Sequence, residues 1–263
     1  MTVADSLRPL PNLRVLVTAG AAGIGAAIAR AFHEAGSRVH VCDVDRSALD
    51  HLTQEVPGIT SSMADASVPG DVDMVFDDIE RSLGGLDVLV NNAGIAGPTG
   101  PIESIDAAGW TRTMDVNLNS QYYFARRAVP LLKQSQANPV LIAMGSVAGR
   151  LAYPFRTPYA STKWAIVGLA KSLAVELGPH GVRVNAILPG TVDGKRMDSV
   201  ISARAAALDV DVEAVRQQYL DKISLRRMVT ADDVAAMALF LCSPAARNVT
   251  GQAISVDGNV EYL

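Results

Sequence analysis

Residues 14–25, Arg-Val-Leu-Val-Thr-Ala-Gly-Ala-Ala-Gly-Ile-Gly, decide the fold class of this chain. The first five form a short apolar run that predicts a buried strand. After Gly25, apolar side chains recur at helical spacing as far as Gly36, which predicts an amphipathic helix. A strand, a glycine-rich turn and a helix start in this order are typical of a dinucleotide-binding unit, although a tight turn without a ligand is the alternative. In such a unit, the N–H groups and dipole of the helix start meet the charge of a pyrophosphate.

The second predicted strand, residues 38–42, ends at Asp43. An acid at this place, about 20 residues past the glycines, can hydrogen-bond both ribose hydroxyls of NAD. The same carboxylate would repel the extra phosphate of NADP. Ala22 and Val44, where a basic residue could offset that repulsion, are uncharged. The sequence therefore predicts NAD as the preferred cofactor, with a solvated aspartate at the strand end as the alternative.

Strand patterns alternate with helical patterns along the whole chain. This alternation predicts a single α/β domain over residues 1–263, built on a Rossmann-like, doubly wound parallel sheet with helices on both faces. Because ligands bind at the carboxyl ends of such strands, residues at or just beyond the strand ends should share one crevice. The predicted strands are residues 14–18, 38–42, 59–63, 86–90, 139–144, 182–188 and 252–256. The residues at their ends include Thr18, Asp43, Asp65, Asn91, Ser146 and Pro189.

Tyr159 and Lys163 are four residues apart, so a helix would place both side chains on one face. A free tyrosine has a pKa of about 10, which is too high for a good base near neutral pH. A fixed cation beside the ring favours the phenolate and lowers that pKa. The pair can therefore act as a general acid/base. The alternative is a surface tyrosine packed along a lysine stem.

Further motifs follow in a fixed order: Asp65-Ala66, Asn-Asn-Ala-Gly at 91–94, Asp-Val-Asn-Leu at 115–118, Ser146 and Pro-Gly-Thr-Val at 189–192. With them the chain resembles the short-chain dehydrogenase/reductase family, in its compact branch of about 250 residues, from about residue 13 onward. The resemblance implies a sheet of about seven strands and four catalytic residues, Asn117, Ser146, Tyr159 and Lys163. It also implies the cofactor-binding residues Gly20, Ala22, Gly23, Ile24, Asp43, Asp65, Ala66, Asn92, Ala93, Gly94, Tyr159, Lys163, Pro189, Gly190, Thr191 and Val192.

The resemblance implies an enzyme that interconverts an alcohol and a carbonyl, with hydride moving to or from nicotinamide. Tyr159 would take the alcohol proton, and Lys163 would lower the tyrosine pKa and hold the nicotinamide ribose. Ser146 would hydrogen-bond the substrate oxygen. Asn117 would hold a water that links Lys163 to solvent.

One residue departs from the family pattern, because the first glycine of the family's loop is Ala19 here. If that position needs a positive φ, the Cβ would cost on the order of 1 kcal/mol. Gly20 could then take the bend one residue later.

Residues 193–229 contain an alanine-rich amphipathic segment, 198–224, before a last helix predicted at 231–242. A segment placed there can close over a substrate and exclude water, and in the family this insertion resembles the substrate lid. A surface helical hairpin that only packs is the alternative.

Charge and composition restrict the partners. The net charge is −4, which argues against nucleic acid. No run is long enough to span a bilayer, and the N-terminus does not resemble a secretory signal. Cys42 and Cys242 read as small buried side chains of a cytoplasmic protein. The four histidines lack metal-ligand spacing, so no catalytic metal is expected, and His40 is predicted to be structural. The family often forms tetramers, and the C-terminal segment 255–263 resembles a tail at such an interface.

The substrate stays open at the level of sequence. Arg150, Arg156, Lys195 and Arg196 flank the expected pocket mouth, where one of them could pair with a carboxylate, sulfonate or phosphate, although solvated loop charges are the alternative. A small hydroxy acid, a polyol or sugar, or a 3-hydroxyacyl compound is compatible. Two other functions are considered: an NADPH-dependent 3-oxoacyl-thioester reductase, and a non-catalytic NAD-sensing protein on the same fold.

Overall fold

The computed structural model describes residues 2–261, without the side chains of residues 196, 203, 204, 207 and 208. Within this range, seven strands form one parallel sheet in the order β3-β2-β1-β4-β5-β6-β7. The sheet confirms the predicted fold class, and each predicted strand is present with its ends shifted by at most two residues. The strands are β1 (Arg14–Thr18), β2 (Arg38–Asp43), β3 (Thr60–Met63), β4 (Val88–Asn91), β5 (Val140–Met144), β6 (Arg183–Pro189) and β7 (Ala253–Val256).

Helices cover both faces of the sheet. One hydrophobic core packs α4, α6 and α7 against the sheet, and a second core packs α2, α3 and α10 against the opposite face. Successive strands are added on one side of β1 as far as β3 and on its other side from β4 onward. The ligand crevice is therefore expected at the carboxyl ends of β1 and β4, where the strand order reverses. The helices are α1 (Val3–Ser6), α2 (Gly23–Glu34), α3 (Arg46–Glu55), α4 (Pro69–Leu83), α5 (Ala107–Met114), α6 (Ser120–Gln134), α7 (Thr157–Leu177), α8 (Lys195–Leu208), α9 (Val212–Asp221) and α10 (Ala231–Cys242).

The amphipathic segment predicted at 198–224 forms two helices, α8 and α9. Asp209 ends α8 with a φ of 51°, and the Asp211 carboxylate caps α9 by accepting two backbone N–H groups. The pair has a small core of its own around Ile201, Ala205 and Val215. Its two ends are tied together by a bridge between Val192 and Val229. Residues 193–229 therefore leave the main domain and return to it at this bridge, and residues 223–225 also pair with residues 258–260.

The two thiols and the histidine of β2 lie inside the protein. Cys42 and Cys242 are free and buried, as their apolar surroundings predict. His40 is buried and contacts the hydroxyls of Thr60 and Ser62 on β3, which fits the predicted structural role. Within residues 2–261, no three His, Cys, Asp or Glu side chains come close enough together to hold a metal ion. None of the described helices has the length and apolar character needed to cross a bilayer.

Candidate active site

The bend of the glycine loop falls on Ala19, which has a φ of 49°. The expectation that Gly20 takes the bend one residue later is wrong, because Gly20 serves packing instead. A Cβ on Gly20 would lie 2.7 Å from the Cβ of Val41 on β2. A Cβ on Gly25 would lie 2.1 Å from the carbonyl oxygen of Ala19. The loop thus needs these two glycines to pack α2 closely against the sheet.

Hydrogen bonds between Thr18, at the end of β1, and Asn92, just after β4, hold the glycine loop. The Asn92 amide Nδ2 donates to the carbonyl oxygens of Thr18 and Ala19, each at 3.0 Å. The backbone N–H groups of Asn92 and Ala93 donate to Thr18 Oγ1 at 2.9 and 3.0 Å. The Asn92 side chain therefore supports the loop. Thr18 lies at the crevice as its place at a strand end predicts, but no local pattern indicates its hydrogen bonds to residues 92 and 93, which are more than 70 residues away in sequence.

The start of α2 fits the phosphates of a dinucleotide. Gly23 has a φ of 53°, and a Cβ built on it would meet no described atom within 4 Å. Ala22 stands at the N-cap, where no described side chain caps the helix. The helix start thus has no side-chain cap and has open space at Gly23, an arrangement that suits an anion.

Asp43 lies beside this loop at the end of β2. Its carboxylate accepts the backbone N–H of Ala21 at 3.1 Å and that of Asp45 at 3.2 Å. Asp65 lies just beyond β3. It accepts hydrogen bonds from Ser67 and forms an ion pair with Arg112 at 3.0 Å. Both acids are at the edge where the sequence predicts them, and Arg112 is an additional neighbour that no sequence pattern indicated.

Asn117 lies in a π-helical turn, Asp115–Asn119, between α5 and α6. Its side chain is fully buried and binds the backbone of Ile95: Oδ1 accepts the N–H at 2.7 Å and Nδ2 donates to the carbonyl at 3.0 Å. Nδ2 also contacts Thr162 Oγ1 at 3.2 Å. Turns of this type are frequent at functional sites. Asn117 thereby ties the loop after β4 to the helix that carries Tyr159 and Lys163.

Tyr159 and Lys163 share one face in the first turns of α7, as their spacing predicts. The Lys163 ammonium is 5.5 Å from the centre of the Tyr159 ring and donates to the carbonyl oxygen of Met144 at 2.9 Å. Its side chain is buried. A Cβ on Gly94 would lie 3.7 Å from Lys163 Nζ and 3.4 Å from Asn117 Oδ1, so these three residues meet at one point.

Ser146 lies directly after β5, where it begins a short 3-10 turn. Its Oγ is buried and accepts the N–H of Ala148 at 3.2 Å. A Cβ on Gly149 would lie 2.5 Å from the carbonyl oxygen of Lys163, so this turn packs directly on the backbone of α7. The fold therefore brings the Ser146 segment against the helix of the tyrosine–lysine pair.

The loop at Pro189–Val192 joins the sheet to α8 and is held from the C-terminal strand. The Gly190 N–H donates to the carbonyl of Val256 at 2.9 Å. A Cβ on Gly190 would lie 2.7 Å from the Cβ of Asp257, so glycine is needed for this close approach. The loop follows β6, at the carboxyl edge of the sheet where its motif predicts it.

The four basic residues near the expected pocket mouth differ in their surroundings. Arg150 donates to Asp257 Oδ2 at 2.9 Å and to the carbonyl of Val260 at 2.6 Å, so it anchors the C-terminal segment. Arg150 therefore already has a carboxylate partner within the protein. Arg156 instead stacks on Tyr159, with its Cζ 5.3 Å from the ring centre. Lys195 is exposed at the start of α8, and the side chain of Arg196 and residues 262–263 of the tail lie outside the described part of the chain.

The chain matches oxidoreductases of known sequence and structure. A family model described as enoyl-(acyl carrier protein) reductase matches residues 19–260. The 2-(S)-hydroxypropyl-CoM dehydrogenase 3 of Xanthobacter autotrophicus is 33% identical over 258 residues, which cover 97% of this chain and 98% of that protein. The L-fucose dehydrogenase of Oryctolagus cuniculus is 35% identical over 247 residues, which cover 94% and 84%. A crystal structure of an actinorhodin polyketide ketoreductase variant with NADPH has a TM-score of 0.89 at 26% identity and covers 94% and 96%.

Proposed function

The chain belongs to the short-chain dehydrogenase/reductase family, and its relatives named as dehydrogenases support an oxidoreductase that acts on CH–OH groups. From this premise we propose that it interconverts a secondary alcohol and a ketone with NAD(H), using Tyr159 as the general acid/base. The observation that carries the proposal is the tyrosine–lysine pair on α7, beside the buried Asn117 and the open start of α2. The substrate would be a small hydroxy acid, a polyol or sugar, or a 3-hydroxyacyl compound.

Proton transfer is the part of the reaction that the protein itself performs. When bound, a nicotinamide cofactor supplies the hydride acceptor for oxidation and the hydride donor for reduction. During oxidation, the phenolate oxygen of Tyr159 takes the proton of the substrate hydroxyl. The ammonium of Lys163 and the N-terminal dipole of α7 both favour the phenolate, because each places positive charge near the ring. Ser146 donates its hydroxyl hydrogen to the substrate oxygen, where negative charge develops.

Asn117 supports the return of the proton to solvent in this proposal. Both of its amide hydrogens are used by Ile95 and Thr162, which fixes the π-helical turn around it. A water at this turn would then link Lys163 to solvent. The side chain of Asn117 acts in this scheme as the support of the turn.

NAD would be held by the loop and strand ends described above. The phosphates would meet the N–H groups at the start of α2, and Asp43 would accept the ribose hydroxyls. The alternative with NADPH, a 3-oxoacyl-thioester reductase, is favoured by one observation, the NADPH in the ketoreductase structure that this fold matches. The carboxylate of Asp43 beside the loop favours NAD, because it would repel a ribose phosphate.

The proposal extends to the segment 193–229 and to assembly. We propose that α8 and α9 form a substrate lid, which is joined to the domain at the Val192–Val229 bridge and at the pairing of Ile223 with Val260, and which moves about Gly194 with its φ of 137°. We also propose a cytoplasmic homotetramer. Exposed apolar side chains on α6 and α7, Tyr122, Trp164 and Val175, support an interface there, and light scattering in solution measures the mass of the assembly.

The test is oxidation of a panel of secondary alcohols, followed by the absorbance of the reduced cofactor, with NAD⁺ and NADP⁺ compared. Tyr159→Phe should lose at least about a hundredfold in turnover while it still binds NAD, because only the proton acceptor is removed. Tyr153→Phe is the matched control, since Tyr153 packs edge-on against Tyr159 at 6.4 Å and has no proposed chemical role. Normal turnover in Tyr159→Phe, or equal losses in both variants, would contradict the proposal.

A further inference from the structure

We propose that Arg156 binds a carboxylate, sulfonate or phosphate on the substrate, so that the enzyme acts on secondary alcohols that carry an anionic group close to the hydroxyl. The inference rests on the proposed function, because it names the substrate class of the same site. Four observations carry it: the position of the guanidinium, its missing counter-charge, the strained residue before it, and the engagement of the other nearby cations.

The guanidinium of Arg156 is fixed beside the phenol of Tyr159. Its Cζ lies 5.3 Å from the ring centres of both Tyr153 and Tyr159, and its Nη2 donates to the carbonyl of Ala96 at 2.9 Å. Stacking on two aromatic faces holds a planar cation in place. A substrate whose hydroxyl reaches Tyr159 would therefore place a substituent a few bonds away within reach of Arg156.

Arg156 has no acidic partner in the part of the chain that the structure describes. Arg14, Arg112, Arg150 and Arg216 each form an ion pair with a carboxylate. The Nε of Arg156 is buried and has no hydrogen-bond acceptor among the described residues. A partly buried cation with an unsatisfied donor costs free energy. An anionic ligand would supply both the missing charge and the missing acceptor.

The residue before Arg156 is held in a conformation that costs energy. Phe155 has a φ of 61°, in the left-handed region that a bulky side chain rarely adopts. Its carbonyl accepts the N–H of Gly100 at 2.9 Å, which holds the turn. The Phe155 ring is 60% exposed, so burial of this ring does not explain the strain. Local strain of this kind is concentrated at functional sites, and here it turns Arg156 back onto the two tyrosines.

The other nearby cations that the structure describes have polar partners of their own or are exposed. Arg150 is neutralised by Asp257, and Lys163 donates to the carbonyl of Met144. Lys195 is exposed at the start of α8. Among these cations, Arg156 therefore contacts Tyr159 and has no carboxylate partner among the described residues.

The first experiment compares kcat/KM for charged and neutral members of matched alcohol pairs. The charged members are 3-hydroxybutyrate, 2-hydroxypropanesulfonate and glycerol 1-phosphate, and the neutral matches are, in the same order, methyl 3-hydroxybutyrate, 1-(methylsulfonyl)propan-2-ol and glycerol. We expect the enzyme to prefer one charged member by at least about tenfold, the effect of one charged hydrogen bond. Arg156→Gln should remove this preference and Arg156→Lys should restore part of it. Lys195→Gln, which removes one charge at the lid, should retain it.

A ratio near one in the wild-type enzyme, equal losses for both members in Arg156→Gln, or a larger loss in Lys195→Gln overturns the inference. Calorimetry gives an answer independent of turnover. Tyr159→Phe loaded with NAD⁺ keeps the ring on which Arg156 stacks, and it should bind a charged member at least about tenfold more tightly than its neutral match. The difference should vanish in the double variant with Arg156→Gln. Equal binding, or no binding of any charged member, overturns the inference, whereas turnover that survives Tyr159→Phe contradicts the proposed function instead.

Discussion

Ala19 has a positive φ at the position where the family pattern has glycine. A left-handed conformation costs a non-glycine residue about 1–2 kcal/mol, because its Cβ approaches the backbone. The loop keeps this conformation because Asn92 Nδ2 binds the carbonyl of Ala19 and the loop packs tightly against α2 and β2. The strain is therefore local and is balanced by contacts on both sides of the residue.

We expect Ala19→Gly to raise the free energy of unfolding by about 0.5–1 kcal/mol. Relief of the strain exceeds the entropy that glycine adds to the unfolded chain, which is about 0.4–1 kcal/mol. Urea denaturation of the cofactor-free protein with an unchanged m-value measures the difference. Gly23→Ala is the matched control, because Gly23 also has a positive φ and its Cβ would meet no described atom; it should shift stability in the opposite direction. A destabilised Ala19→Gly would show that the loop does not strain Ala19.

Asp43 is the residue that decides between NAD and NADP in the proposal. Asp43→Ala should lower kcat/KM for NAD⁺ by about tenfold or more, since hydrogen bonds to a charged group contribute about 1.5–3 kcal/mol. The loss for NADP⁺ should be smaller, because repulsion of the ribose phosphate disappears with the carboxylate. The control is Asp45→Ala, which removes the cap of α3 without changing the loop contact. An unchanged NAD/NADP ratio in Asp43→Ala would show that Asp43 does not contact the ribose.

At the scale of elements, β2 and β3 are joined by a buried polar chain as well as by backbone pairing. His40 contacts Thr60 Oγ1 at 2.8 Å and Ser62 Oγ at 2.9 Å, and Ser62 donates in turn to Asp78 on α4. Burial lowers the pKa of His40 from 6.5 to about 4. The imidazole is therefore neutral in the folded protein at pH values where it would be protonated in the unfolded chain.

Because of this difference, we expect the protein to become less stable as the pH is lowered. The unfolded chain binds one more proton than the folded protein between about pH 6.5 and 4, so the free energy of unfolding decreases as pH falls through this window, by at most about 3 kcal/mol. Urea midpoints measured across the window test the slope. His40→Gln, which keeps a polar side chain on β2, should be less stable near neutral pH but should show a shallower slope. Parallel pH profiles for the two proteins would rule out His40 as the source.

The π-helical turn between α5 and α6 is the second element that determines the site. The turn buries Asn117 completely and directs its amide to Ile95 and Thr162. Because Thr162 stands between Tyr159 and Lys163 on α7, this one side chain fixes the helix of the candidate catalytic pair relative to β4. The motif identifies Asn117 in the sequence, whereas its hydrogen bonds to Ile95 and Thr162 are visible only in the structure.

At the scale of the whole molecule, the two cysteines lie in the hydrophobic cores on opposite faces of the sheet. Cys42 belongs to the core under α4 and α6, and Cys242 belongs to the core under α2 and α3. Burial raises the pKa of each thiol to about 12, so neither supplies a thiolate in the folded protein. We expect both thiols to react with a thiol reagent only when the protein unfolds. If the two cores unfold together, the two thiols should react at equal rates.

Labelling of Cys42→Ala and Cys242→Ala, each with one thiol left, measures the two rates separately. Because either substitution can change stability, the rates are compared after correction with the urea midpoint of each variant. Equal corrected rates are expected for one cooperative domain. Rapid labelling of one thiol under native conditions would show that one face of the sheet opens independently.

The sequence by itself determined the fold class, the strand positions and the family motifs. Strands and helices were predictable because burial on both faces imposes local periodicity, and the glycine loop because glycine is required where backbones approach closely, as at Gly20 and Gly25. The motif at Tyr159 and Lys163 was readable because a helix places residues four apart on one face.

Only the tertiary structure decided which charges are free and which polar groups are engaged. Arg150 and Arg156 both lie between Ser146 and Tyr159 in the sequence, but Asp257, far along the chain, neutralises the first, whereas the second stacks on Tyr159. Local sequence patterns likewise could not predict the positive φ of Ala19 or the hydrogen bonds of the Asn117 amide. The physical reason is that charge pairing and burial depend on residues distant in sequence, which meet only when the parallel strands bring their carboxyl ends together.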